Sequence, residues 1–162
     1  MIAHLLRVTK SELEEYVSES ISLENRIYDE ETEFENLVDI DKTWDGIIFL
    51  LTGEGLSTSR HPLVKVLFSG QRIGKEQDLG FGPAHYLNPE QVVELNNEIS
   101  LLTISDLKQR FNPEKMKQLN IYPRIWDRED YAFNYIINGF TTLQNIFAEA
   151  TKNDEAIITF LT

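Results

Sequence analysis

Ala156-Ile157-Ile158-Thr159-Phe160-Leu161 is the stretch whose reading decides the fold. The run is apolar and rich in β-branched residues, too short for a stable helix, and reads as a strand. Before it, Tyr131, Tyr135, Ile136, Phe140, Leu143 and Phe147 recur along one side of a long helix expected to run to Lys152. Asp127 is its expected cap, and Gly139 weakens its middle while permitting close packing. At the other end of the chain, residues 4–8, extended back to Ile2, read as a second strand. A strand near each end and helices between them predict an α+β fold: a small sheet with its N-terminal and C-terminal strands paired or adjacent, packed against a helix-rich middle.

The middle is punctuated by capping signals. Thr9 with Glu12 is a capping box that opens a first helix, whose inward stripe is Leu13, Tyr16, Val17 and then Ser20 or Ile21. Residues 22–35 are acidic but contain Leu23, Ile27, Tyr28 and Phe34, and read as a surface segment with short structured pieces. Asp41 is the favoured cap of a helix that presses Trp44, Ile47, Ile48 and Leu51 on the core and stops at Gly53. Pro62 opens a short helix, residues 71–73 form a short strand, and residues 80–87 bend through glycines into another extended segment. Asn88, Pro89 and Gln91 supply a cap, a first-turn proline and a reciprocal glutamine, followed by Val92, Leu95, Ile99 and Leu102 on the apolar face. Ser105 and Asn112 open two further short helices, and with no repeat or linker the 162 residues are read as a single domain.

Composition narrows the function. An apolar fraction of 41% supports a packed core. With no cysteine there is no disulfide, thiolate nucleophile or cysteine-ligated metal site, which suits a reducing cytoplasm. No signal peptide is visible, and the apolar run of residues 47–51 is far short of the roughly 20 residues of a membrane span, so a soluble, cytoplasmic protein is expected. The formal charge is −12, and residues 1–60 hold 5 of the basic and 14 of the acidic side chains. Such a field repels phosphate and anionic lipid, which argues against nucleic acid or membrane as partners. It favours a basic protein or a cationic small molecule; oligomeric state stays open.

Four segments, LVDIDKTWDGIIFLLTG at 37–53, LGFGPAHYL at 79–87, LKQRFNPEKMKQLNIYP at 107–123 and NIFAEATKNDEAIITFL at 145–161, together cover much of the chain in order. In these the sequence resembles the YfbM-like family of small bacterial proteins, a domain of unknown function. The resemblance implies an α+β protein of the bacterial cytoplasm and carries over no catalytic residue. The family's Asp-Lys-x-Trp helix followed by Thr-Gly matches Asp41, Lys42, Trp44, Thr52 and Gly53. The start departs from it, with Ile2, Ala3 and His4 where glycines are usual.

Candidate sites follow from residue chemistry. Asp41 and Asp45 lie four apart beside Trp44, so two carboxylates and an indole could hold a cation, or could merely cap the helix and fill the core. His61 and His85, the latter after the glycine bend, join them in a second reading: a small-molecule enzyme or ligand sensor with a pocket near Asp41, Trp44, His61 and His85. The histidines, including His4, lack metal-motif spacing, and neither metal nor cofactor is expected. Ser57, Thr58 and Ser59 near His61 are a weak nucleophile signal. The turn at Gly80 and Gly82 lacks the pattern of a phosphate loop. Lys108, Arg110, Lys115, Lys117, Arg124 and Arg128 near Trp126 read as helix faces with buried aromatics more than as a nucleic-acid surface. The favoured reading is an acidic binding domain whose residues 12–45, with Glu30, Glu31, Glu33 and Glu35 at the centre, meet a basic partner.

Overall fold

The expected C-terminal strand is the middle of the sheet. The computed structural model describes residues 1–29, 35–74 and 76–162, without the side chain of Glu129. Its strands are β1 (Ala3–Val8), β2 (Leu37–Asp39), β3 (Arg72–Ile73), β4 (Ala84–Leu87) and β5 (Ala156–Leu161), in the spatial order β2-β1-β5-β4-β3. All pairings are antiparallel. β5 runs beside β1 from Ala3 opposite Leu161 to Val8 opposite Ala156, and its other edge pairs with β4. Every residue of β5 is buried, because helices cover both faces of the sheet; this is why its sequence shows no apolar–polar alternation.

The two faces carry separate cores. On one, Leu6, Val8, Ile158 and Phe160 meet Leu13 and Tyr16 of α1 (Lys10–Ser18) and Leu23 of α2 (Ser20–Tyr28). On the other, Ala3, Leu5, Ile157 and Leu161 meet α3 (Trp44–Thr52), α4 (Pro89–Ile99) and α7 (Glu129–Asn153). α5 (Ile104–Arg110) and α6 (Pro113–Gln118) add Leu107 and Met116 to the same core. Residues 44–51 of α3 are all buried, so this helix is enclosed on every side.

The capping boxes at Thr9 and Asn88 form with both reciprocal hydrogen bonds, and Gly53 ends α3 in the left-handed conformation at φ 78°. Elsewhere the chain differs from the expectation. α1 stops at Ser18 and α2 restarts at Ser20, so Val17 and Ile21 stay exposed and Leu23 sets the buried stripe. Of residues 22–35, expected as a surface segment with short structured pieces, 22–28 belong to this second helix, while Glu30, Glu31, Glu33 and Phe34 lie outside the described residues. β2 was not apparent in the sequence: three residues on a sheet edge carry too little pattern. Asp41 does not cap α3; it takes a positive φ of 48° two residues before Thr43, the residue at the helix start. Thr103, not Ser105, caps α5, through a box with Asp106. Asp127 does not cap α7 and pairs instead with Lys117 at 2.7 Å.

Gly139 does permit close packing. A Cβ there would overlap Oγ1 of Thr43 and lie 2.9 Å from its Cβ, which is fixed to the backbone. Helix propensity alone favours Gly139→Ala by about 1 kcal/mol. The overlap opposes it, and a net loss of roughly 1–3 kcal/mol is expected in urea denaturation. A stabilised variant would show that α7 and the start of α3 tolerate greater separation.

Candidate functional site

The edge strand β2 and one side of α7 enclose a trough. Its first part, about 280 Å3, is lined by Asp39, Ile40, Asp41, Thr43, Tyr135, Asn138, Gly139 and Thr142. Thr142 continues it into a second part of about 250 Å3, with Arg7, Glu35, Asn36, Val38, Asn145, Ile146 and Glu149. One wall is the three-residue β2 and the loop after it; Gly139 of α7 lies close against Thr43 at one end.

Tyr135 organises the first part. Its hydroxyl donates to Oδ2 of Asp41 at 2.7 Å and accepts from the Lys42 N–H at 3.1 Å. Asp39 Oδ1 accepts the Asp41 N–H at 3.0 Å, so the loop holding Asp41 at positive φ is tied from both sides. Burial, then the Asp41 carboxylate it bonds, push the Tyr135 phenol far above its ordinary value, so it stays a donor. The ring stacks on Tyr131, centroids 6.1 Å apart and planes 6° from parallel, and Tyr131 is exposed. Among the described residues neither Asp39 nor Asp41 has an ion-pair partner. In the second part Arg7 is neutralised by Glu155 at 2.7 Å and held by Asn36 at 3.0 Å, leaving Glu35 and Glu149 to set the local charge.

The residues singled out in the sequence are dispersed. Asp41 lines the trough, and Glu35 lies on its far part. Asp45 is 8% exposed, and both its oxygens are occupied, by the N–H groups of Leu56 and Tyr122, each at 2.9 Å. Trp44 is buried, donates to the Met1 carbonyl at 3.3 Å and stacks on Tyr122. Phe68 stands between Trp44 and His85, edge-on to each at 5.8 and 5.6 Å. His85 Nδ1 accepts the Gly70 N–H at 3.1 Å, and burial, then Arg72, hold its pKa below the ordinary value. His61 lies elsewhere, its Nδ1 accepting the Leu63 N–H to cap a 3₁₀ turn (Pro62–Val66). Asp41 and His61 therefore belong to different cavities, and Trp44 and Asp45 are part of the scaffold. Ser59 Oγ accepts the backbone N–H of His61 and does not address its ring.

The other groups are also engaged. His4 stacks on Phe160 and lies 2.9 Å from Thr162 Oγ1, its pKa lowered by burial against the opposing pull of Asp39. Lys108 sits over Phe133 and Phe111, and Lys115 over Phe49, so these cations cover their own aromatics. Among the described residues no group of three or more His, Asp or Glu side chains is placed to hold a metal ion. No helix among them is long and apolar enough to cross a membrane.

Sequence reasoning passed over Tyr131, Tyr135, Asn138 and Glu149. In the sequence the two tyrosines belong to one apolar stripe, and two hydroxyls four residues apart on a helix are the signal that sets them off from it. The acids of residues 12–45 also divide: Glu14 and Glu15 belong to α1 on one face of the sheet, whereas Asp41 leads into α3 on the other.

A family model described as a domain of unknown function (DUF1877) matches residues 1–160. Among solved structures, the crystal structure of YfbM, a protein of unknown function from Escherichia coli, is similar with a TM-score of 0.74 at 17% identity, over 100% of each chain. At that identity the likeness is one of fold. No curated protein matches the sequence.

Proposed function

Because the chain belongs to the DUF1877 family, whose description carries no activity, we propose from its own surface that it is an acidic binding domain, with the trough between β2 and α7 receiving cationic side chains of a basic protein partner. One observation carries this reading: Asp39 and Asp41, without an ion-pair partner among the described residues, open into a cavity beside the stacked rings of Tyr131 and Tyr135. Carboxylates next to an aromatic face suit a guanidinium or ammonium group, through charge-assisted hydrogen bonds and cation–π attraction. Glu35 and Glu149 extend the same sign along the trough, and the formal charge of −12 speeds encounter with a basic partner.

Asparagine separates charge from structure here. Its side-chain oxygen still accepts from the Asp41 N–H and the Tyr135 hydroxyl, and asparagine tolerates positive φ. Asp39→Asn/Asp41→Asn should therefore leave the melting temperature nearly unchanged. A basic protein captured by the wild type should bind this variant about tenfold more weakly, with a shallower salt dependence. Equal affinity and equal salt slope would remove the trough from consideration.

A further inference from the structure

A second surface combines apolar floor and acidic rim. Between the 3₁₀ turn and α4 lies a groove of about 300 Å3 whose floor is made by Leu63, Leu87 and Leu95. Glu94 and Glu98 form its rim on α4 and are shared with an adjoining open cavity that reaches Leu101. Glu94, Glu98 and Leu101 follow one another at spacings of four and three, so they lie along one side of the helix and its final turn. Leu101 is 78% exposed, and Ile104, just beyond, is 59% exposed.

The charge on this rim has no opposite partner on its own helix. α4 reads PEQVVELNNEI and contains neither lysine nor arginine, so nothing on its own helix offsets two carboxylates one turn apart. Like charges at that spacing weaken a helix. Among the described residues neither Glu94 nor Glu98 is in an ion pair, and Lys65, on the opposite wall, does not reach them. The opposite side of α4 is engaged in the core through Val92 and Ile99, where Gln144 of α7 donates to the Ile99 carbonyl. The helix is fixed in place while its rim faces solvent.

We infer that this groove docks a basic amphipathic helix of a partner protein, its apolar side chains on the leucine floor and Leu101, its lysines or arginines against Glu94 and Glu98. Helices laid in grooves are recognised by anchors at helical spacing, and the acids select the sign of the flanking charges. This surface involves no residue of the trough, so the two readings stand or fall separately.

The test uses the full chain and a fluorescently labelled probe, a leucine–lysine helical peptide about five turns long with leucines on one side. Two control peptides replace all leucines by serine or all lysines by glutamate. Wild-type protein should bind the probe at least tenfold more tightly than the serine control and should not bind the glutamate control. Glu94→Lys/Glu98→Lys should weaken binding about tenfold or more, and Leu101→Ser severalfold, since both alter surface positions that hold no core contact. Asp39→Asn/Asp41→Asn should weaken binding of the probe far less than Glu94→Lys/Glu98→Lys does and should leave the preference over the serine control intact. The proposal is overturned by absence of wild-type binding, by equal binding of the serine control, or by an Asp39→Asn/Asp41→Asn loss as large as that at Glu94 and Glu98. Amide shifts on titration should fall on residues of α4 and the 3₁₀ turn; shifts confined to α7 would also overturn it.

Discussion

A chain ending at Glu155 is expected not to fold. The truncation removes β5, the strand that joins β1 to β4 and carries Ile157, Ile158, Phe160 and Leu161 into the two cores. Burial of four such side chains contributes roughly 6–12 kcal/mol, against a net stability of about 5–15 kcal/mol for an ordinary domain. The loss is larger still, because β1 and β4 would each expose an unpaired edge in the middle of the molecule. Circular dichroism should show residual helix without a cooperative melt. A sharp unfolding transition in the truncated chain would mean that β1 and β4 can close on each other.

The second large effect is expected at Asp45. This carboxylate accepts the N–H of Leu56 and the N–H of Tyr122 and so clips two segments, 11 and 77 residues away, to the start of α3. Asp45→Ala leaves both half-buried donors without their partner and should cost about 2–5 kcal/mol, since each orphaned donor costs about 1–3 kcal/mol. Asp45→Asn keeps one acceptor but turns an NH2 towards the other N–H, and should lose about 2 kcal/mol. Urea denaturation with an unchanged slope measures both. If Asp45→Ala unfolds within about 1 kcal/mol of the wild type, the clip is not a stabilising element.

What the sequence disclosed was what short-range chemistry determines. Thr9 with Glu12, and Asn88 with Gln91, specify helix starts within four residues, and both starts are found. Gly139 announced close packing without naming Thr43, whose position depends on a chain reversal some 95 residues earlier, about as far apart as the Asp41–Tyr135 bond. The trough was illegible for that reason. Asp41 looked like a helix cap because its own neighbourhood allows one, and only α7 reveals it as the acceptor of a tyrosine. Asp45 looked like a free carboxylate because the N–H groups that occupy it come from two distant loops.

The position of β5 also sets an order of events during biosynthesis. Of the elements described, the central strand is made after all the others, and until then β1 and β4 have no common neighbour. The sheet therefore closes between segments about 150 residues apart, a high-contact-order step that follows translation of everything between β1 and β5. During that interval the edge of β1 that later pairs with β5 keeps its backbone N–H and C=O groups without strand partners, a template on which another chain's strand could add.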